Sequence, residues 1–224
     1  MRELLQRGNR RGFLGRVSAA LGLALGSAAL PEPARAAAAS LDSPGDEEWL
    51  KKITGKHRQV YDAVSVNQGF PLGFAMNFLD TNIQGTSLTD KDLTAVVVLR
   101  HFAIPIALKD EIWAKYKLGE MFELKDPATK EAAARNYFYN PKPGDLMLPG
   151  SAYDKMLARG VIFPVCNVAL TVISGLRAPV AGVTAEQAKA EWVAGLLPGA
   201  FPVPSGVWAV NRAQERGCTY CYAG

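Results

Sequence analysis

The fold is decided by a short stretch at positions 94–101, which has the sequence TAVVVLRH. Its first six residues are apolar or β-branched and lack the alternation of a half-exposed strand, so they predict a strand buried on both faces. Strands of that kind belong to parallel sheets that helices cover on both sides. The polar pair Arg100-His101 then falls where such a strand ends.

Segments on either side of this stretch alternate between strand and helix patterns. The predicted strands are residues 59–66, 94–99, 161–165, 201–204 and 219–222, and the predicted helices are residues 72–79, 108–116, 129–135, 153–158, a helix beginning just after Cys166, 185–194 and 207–216. This alternation predicts a single three-layer α/β/α domain with a mostly parallel sheet of about five strands. Pro164 lies within one predicted strand and indicates an edge strand or a bulge, because proline cannot donate a ladder hydrogen bond.

The first 36 residues have the order of an export signal. Residues 9–14 (NRRGFL) are similar to the twin-arginine motif, and the uncharged apolar run at 17–30 is too short for a comfortable membrane-spanning helix. Residues 34–36 (ARA) then offer a small-x-small cleavage site. We expect export by the twin-arginine machinery and release of a folded protein into the periplasm. An amphipathic N-terminal helix, or a Sec signal that contains paired arginines, is the alternative.

The remaining chain divides into an arm and a domain. Residues 37–56 are predicted to form a polar N-terminal arm, and residues 57–224 the α/β domain, with an inserted segment at about 117–150 that is rich in proline and glycine. No later segment reaches 18 uninterrupted apolar residues, so we expect no membrane contact after the signal is cleaved.

The positive charge of the protein belongs to the signal. The chain has 25 Lys and Arg against 21 Asp and Glu, for a net charge of +4. Six of the basic and two of the acidic residues lie in the first 36 positions, which leaves 19 of each sign for the rest. Composition therefore gives no support to a phosphate-binding surface, and we expect no nucleic-acid partner.

The carboxyl ends of the predicted strands select the candidate site residues. Ligands of open parallel sheets bind in the crevice outside those ends. The residues that follow the strands are Arg100, His101, Cys166, Asn167, Ser205 and Gly206. His57 ranks lower, because it lies at the amino end of its predicted strand.

Cys166 is the best single candidate for chemistry. It comes directly after an apolar strand and before a predicted helix, where unpaired amides and the helix dipole favour a thiolate. His101 could accept the thiol proton, and Arg100 could hold an anion such as sulfite, thiosulfate or a carboxylate. The alternative is a small buried hydrophobic cysteine and a histidine with a structural hydrogen bond.

Cys218 and Cys221 have the C-x-x-C spacing of a redox pair. In an extended strand, positions three apart lie about 10 Å from each other and point to opposite faces, whereas a disulfide needs Cα atoms within about 7 Å. A turn would allow closure. No motif implies a specific cofactor, and a zinc site at this pair would need two further ligands, so we predict no metal.

Several short motifs resemble the DsrE/DsrF-like family of small α/β proteins. Residues 157–166 resemble the family's helix, its Gly-Val step and its strand ending in cysteine, and residues 95–101 occupy the place of its second strand. Residues 196–207 resemble the hydrophobic segment with Pro-Ser-Gly that opens its last helix, and residues 214–220 resemble its closing strand. The resemblance implies a doubly wound α/β domain, assembly as a homo-oligomer (a trimer or hexamer), and sulfur carried as a persulfide on the cysteine matching Cys166.

Together, these observations predict an exported DsrE-like protein of the periplasm. Its chemistry would be thiol or persulfide sulfur transfer, as in a sulfur relay, or related redox chemistry at Cys166. His101 would assist, and the ligand would be held by Arg100, Asn167, Ser205 and Gly206. The alternative is a non-catalytic protein of the periplasm that binds a small ligand or assembles with other chains, and whose cysteines are structural.

Overall fold

The computed structural model of the protein describes residues 44–224, with side chains from Glu48 onward. The predicted signal and its cleavage site lie outside these residues. The strands are β1 (His57–Ser65), β2 (Leu93–Phe102), β3 (Phe163–Cys166), β4 (Ala200–Val203) and β5 (Thr219–Tyr222). They form one sheet in the order β4-β3-β2-β1-β5, and every neighbouring pair is parallel. The predicted three-layer α/β/α domain with a parallel sheet of about five strands is confirmed.

Seven α-helices join these strands within the described part of the chain. They are α1 (Phe70–Ile83), α2 (Asp110–Lys115), α3 (Leu118–Met121), α4 (Tyr153–Ala158), α5 (Asn167–Ala181), α6 (Ala185–Ala194) and α7 (Gly206–Glu215). Strands β1 to β4 follow one another in one direction across the sheet, and β5 then returns to the free side of β1. Because parallel crossovers are right-handed, this reversal places α7 on the face opposite the other helices.

Two hydrophobic clusters show the two faces of the sheet. The larger cluster contains the buried residues of α1, α2, α4, α5 and α6, and the smaller one contains those of α7. Along β2, Val97 and Leu99 belong to the larger cluster, whereas Val96 and Val98 belong to the smaller one. All four side chains are fully buried. The prediction that this strand is covered on both faces is therefore confirmed.

The N-terminal arm helps to cover the α7 face. Residues Pro44–Lys52 form a 3-10 helical stretch, and Trp49 and Leu50 are buried in the smaller cluster. The Trp49 ring lies 6.2 Å from the Phe201 ring and 6.5 Å from the Trp208 ring, measured between centroids. The arm is polar in composition, but its apolar residues and those of α7 together cover this face of the sheet.

Pro164 lies in an interior strand, so the expectation of an edge strand is wrong. Strand β3 pairs with β2 on one side and β4 on the other. Its pairing with β2 is sparse: Val165 pairs with Leu99, and Ile162 forms an isolated bridge with Val96. Both pairings share one register, so the proline interrupts the ladder by removing a donor without shifting the strands.

The inserted segment is ordered but not helical at residues 129–135. Turns and an isolated bridge between Lys125 and Ala132 occupy this region. The Arg135 guanidinium binds Asp145 through both Nη atoms at 2.6 and 2.7 Å, and Asp126 through Nε at 2.6 Å. Hydrogen bonds of this kind to two carboxylates stabilise a specific loop, which explains why the local helical pattern did not determine the structure.

Candidate functional site

The carboxyl ends of β2 and β3 bring Arg100 and Cys166 together. Leu99 pairs with Val165, and Arg100 and Cys166 are the next residues along the two strands. The pKa of Arg100 is raised, chiefly by its hydrogen bond and charge interaction with Asp62. The two residues that the sequence placed at one crevice therefore lie at neighbouring positions of adjacent strands.

Asp62 is the principal partner of Arg100. The guanidinium binds it in a bidentate manner, with 2.5 Å from Nε to Oδ1 and 2.8 Å from Nη2 to Oδ2. The Tyr220 hydroxyl donates a third hydrogen bond to Oδ2 at 2.9 Å. Burial by itself would raise the pKa of Asp62, but the hydrogen bonds from Arg100 and Tyr220 and the nearby positive charge outweigh it and lower that pKa.

Strand pairing explains how these three residues meet. Val60 and Asp62 lie on the same face of β1, and Val60 pairs with Tyr220 of β5. Val60 belongs to the cluster on the α7 face, so Asp62 faces the α7 side at the carboxyl end of the sheet. The sequence analysis did not select Asp62 or Tyr220. The available signal was a carboxylate in the middle of the predicted strand at residues 59–66, since a buried charge requires a partner.

The start of α7 packs directly on Arg100. A Cβ atom at Gly206 would lie 2.5 Å from Arg100 Cβ and 2.7 Å from its Cδ, so only glycine lets the helix approach this closely. Ser205 is the N-cap of α7, and its Oγ accepts a hydrogen bond from the Trp208 amide at 3.2 Å. These two predicted ligand-binding residues thus hold the helix and Arg100 in place.

His101 extends the cluster toward solvent. Its backbone φ is +50°, in the left-handed region, and its ring is exposed. Arg100 Nη1 lies 3.0 Å from His101 Nδ1 and 3.5 Å from its Nε2, so the guanidinium contacts both nitrogens of the ring. Burial and the Arg100 charge lower the pKa of His101. No hydrogen bond joins His101 to Cys166 in the described structure, so the predicted proton acceptor is not paired with the thiol.

Cys166 is the N-cap of α5. Its Sγ accepts a hydrogen bond from the Ala169 amide at 3.4 Å, and the residue is 5 % exposed. Asn167, the first residue of the helix, is 7 % exposed. Its side-chain amide makes no hydrogen bond to any residue between 44 and 224. A nearly buried amide without a protein partner beside a thiol provides donors and an acceptor for a small ligand.

The two cysteines of the C-x-x-C sequence lie on opposite faces of the sheet. Cys218 and Cys221 are free thiols; Cys218 is buried in the cluster on the α7 face, while Cys221 packs against the opposite cluster. Burial raises the pKa of Cys218 to about 11 and also raises that of Cys221. The structure does not bring this candidate redox pair together, because β5 is extended and directs the thiols to opposite faces.

The comparisons with known proteins add no family to this picture. The chain matches no family model, no characterised protein and no solved structure. Among the described residues, no group of three or more His, Cys, Asp or Glu side chains could hold a metal ion. The groups around Cys166 and Arg100 are therefore the basis on which a function can be proposed.

Proposed function

We propose that the protein is an exported, DsrE-like protein that transfers sulfur through a persulfide on Cys166. The observation that carries this proposal is the position of the Cys166 sulfur. It caps the amino terminus of α5, where the Ala169 amide donates to it, and Cys166 and Arg100 directly follow the paired residues Val165 and Leu99. The amides at a helix start and a guanidinium are groups that can bind an anionic sulfur species.

The identity of the cap supports a chemical role for Cys166. Helix stability favours Ser, Thr, Asp or Asn at the N-cap, because their oxygens are good acceptors for the amides of the first turn. Ser205 at the start of α7 follows this preference. Sulfur is a weak acceptor, so a cysteine at the start of a 15-residue helix is a poor choice for stability alone.

The surrounding groups can recognise an anionic sulfur species. The Asn167 amide has no partner among residues 44–224 and lies next to Cys166. Arg100 uses Nε and Nη2 for Asp62 and Nη1 for His101, but each terminal nitrogen carries a second N–H. Asp62 and Gly206 act as positioning residues, because they fix the guanidinium at the edge of the sheet.

The proposed reaction moves one sulfur atom without net oxidation. The Cys166 thiolate attacks the terminal sulfur of a polysulfide, the Sγ–S bond forms, and the neighbouring S–S bond of the donor breaks. The products are a Cys166 persulfide anion and a polysulfide shortened by one sulfur, so both atoms and charge balance. The same step in reverse delivers the sulfur to an acceptor thiolate.

Mass spectrometry of the intact protein tests this proposal. The reduced chain is mixed with inorganic polysulfide, and we expect one added sulfur atom on the wild type and on Cys221→Ser. Cys166→Ser should remain unmodified. Cys221→Ser is the matched control, since Cys221 is a partly exposed thiol within β5 and caps no helix. An unmodified wild type, or equal sulfur loading of Cys166→Ser, would refute sulfur carriage by Cys166.

Residues 1–36 support the proposal that the protein acts in the periplasm. The twin-arginine-like motif precedes an uncharged apolar run and a small-residue cleavage site, which is the order required of an export signal. Replacing both Arg10 and Arg11 with Lys should leave the full-length precursor inside the cell. Unchanged export of this double variant would contradict use of the twin-arginine machinery.

The burial of Cys166 favours a second candidate function. With 5 % exposure, the residue also fits a structural helix cap in a non-catalytic protein that binds a small ligand or assembles as a homo-oligomer, a trimer or a hexamer. In this case Cys166→Ser would retain the fold, the oligomeric state and the ligand affinity of the wild type. The polysulfide experiment separates the two functions directly.

A further inference from the structure

Trp49 connects the N-terminal arm to both sides of the turn between β4 and α7. Its ring centroid lies 6.2 Å from that of Phe201, in β4, and 6.5 Å from that of Trp208, in α7. The residue is only 3 % exposed. Ser205 and Gly206 lie between Phe201 and Trp208 in the chain. One buried ring therefore packs against the strand before this turn and the helix after it.

The position of Arg100 depends on this turn. A Cβ atom at Gly206 would lie 2.5 Å from Arg100 Cβ, so the backbone at the start of α7 is in close contact with the arginine side chain. At the far end of that side chain, the guanidinium binds the Asp62 carboxylate through Nε and Nη2. Because closely packed groups transmit displacements to one another, a shift of the α7 start would also displace Arg100.

The arm is also attached to β2, the strand that carries Arg100. The Gly55 amide donates to the Oγ1 of buried Thr94 at 2.9 Å, and the Lys56 amide donates to the Asp92 carbonyl oxygen at 2.6 Å. A Cβ atom at Gly55 would lie 2.6 Å from the Thr94 nitrogen, so this end of the arm lies directly against β2. The arm therefore joins the amino end of β2 to the turn before α7.

Stability alone does not explain a tryptophan at position 49. Its Nε1 is buried and donates to no acceptor within residues 44–224. A buried N–H without a partner lowers the stability of the folded state, and an aliphatic side chain would fill the cluster without that penalty. A flat aromatic ring, however, is suited to pack against the rings of Phe201 and Trp208 at the same time.

We infer that Trp49 is a positioning residue for the site at Cys166, because it holds the start of α7 in place and Gly206 then fixes Arg100. The inference rests on the proposed function, since Arg100 is one of the groups that would bind the sulfur donor. Loss of the Trp49 ring should displace Arg100 and leave the cap of α5 intact, because Cys166 and α5 pack in the larger cluster.

The pKa of His101 reports the position of Arg100. Arg100 Nη1 lies 3.0 Å from His101 Nδ1. Burial and the Arg100 charge lower the pKa of His101, while the Asp62 charge opposes them. Proton NMR of the histidine rings in the purified protein measures this pKa, and a His57→Gln variant distinguishes His101 from the second histidine of the chain. A displacement of Arg100 should therefore change the titration of one assigned ring.

Trp49→Leu tests the inference, because it keeps an apolar side chain in the cluster and removes the ring. We expect the pKa of His101 to rise toward its ordinary value of about 6.5, and the loading of Cys166 by inorganic polysulfide to slow about tenfold. Trp49→Phe keeps a ring and should behave like the wild type in both measurements. Ile53→Ala, the matched control, removes a buried side chain of the same arm. It should lower stability in urea and change neither the pKa of His101 nor the loading rate.

Two results would overturn the inference. One is a His101 pKa that is the same in Trp49→Leu as in the wild type, because Arg100 would then keep its place without the ring. The other is a rise in Ile53→Ala as large as that in Trp49→Leu, which would assign the effect to the stability of the cluster. The titration of His101 needs no polysulfide. A wild type that does not load sulfur would therefore contradict the proposed function and leave the test of Trp49 intact.

Discussion

Helices α5 and α7 begin at the same edge of the sheet but differ in what their first residues do. Each follows a strand directly, and β3 and β4 are neighbours. At α7, Ser205 provides an oxygen cap and Gly206 makes room for Arg100, so these residues serve the scaffold. At α5, a thiol occupies the cap and the Asn167 amide has no partner in the described chain. Under the proposed function, the same local structure therefore serves positioning on one side of Arg100 and chemistry on the other.

Arg100 lies between the two helix starts, and its loss should have the largest effect. Arg100→Met leaves the Asp62 carboxylate buried with Tyr220 as its remaining hydrogen-bond donor, and an unpaired buried charge is costly. We expect the free energy of unfolding in urea at pH 7 to fall by about 3 kcal/mol.

The double variant Asp62→Asn/Arg100→Met is the control for this measurement. It removes both charges together, and we expect it to recover more than half of the loss caused by Arg100→Met alone. If the double variant is as unstable as the single one, the lost stability comes from packing of the arginine and not from its ion pair with Asp62.

The second prediction compares the first residue of each helix. Gly206→Ala places a methyl group 2.5 Å from Arg100 Cβ, so we expect a loss of about 1–3 kcal/mol in the free energy of unfolding. Asn167→Ala removes a side chain that makes no hydrogen bond within residues 44–224, so its stability should change by less than about 0.5 kcal/mol. Sulfur loading of Cys166 by polysulfide should nevertheless slow several-fold in Asn167→Ala.

Two results would contradict the assignment of Gly206 to the scaffold and of Asn167 to the recognition of sulfur anions. Destabilisation by Asn167→Ala comparable with that of Gly206→Ala would assign Asn167 to the scaffold. Unchanged loading in Asn167→Ala would remove this amide from the recognition of sulfur anions. Urea unfolding and the time course of the added mass measure the two quantities independently.

The sequence predicted which residues lie at the carboxyl ends of the strands. It did not predict the cluster that Arg100 forms with Asp62 and Tyr220. Residues 153–158, 185–194 and 219–222 have the predicted bounds, because their patterns are local, and the rule of strand ends brought Arg100 near Cys166. Asp62 and Tyr220 are far apart in sequence, and their contact depends on β5 returning beside β1. No local sequence pattern specifies that β5 pairs with β1, so the hydrogen bond from Tyr220 to Asp62 could not be predicted.

The third prediction concerns the N-cap residues of α7 and α5, whose replacement should change the free energy of unfolding by a smaller amount. Ser205→Ala removes the oxygen that accepts the Trp208 amide, and we expect a loss of about 1 kcal/mol in the free energy of unfolding. Cys166→Ser replaces a weak acceptor by a good one, so its stability should change by less than about 0.5 kcal/mol. A loss above about 2 kcal/mol for Cys166→Ser would favour a structural role for the thiol.

The smallest expected effect on stability is that of His101. Its pKa depends on the charge of Arg100, which lies between the starts of α5 and α7. Burial and the Arg100 charge lower its pKa, so below its ordinary value of about 6.5 the unfolded chain binds a proton that the folded chain resists. Stability should therefore fall as the pH decreases through about 6.5 toward the lower folded-state pKa.

His101→Asn removes this titration and keeps a residue that tolerates the φ of +50°. We expect urea unfolding between pH 8 and 5 to show a shallower loss for His101→Asn. An identical pH dependence in the wild type and His101→Asn would mean that solvent screens the His101 ring from the Arg100 charge. His101 would then have no electrostatic role in the site.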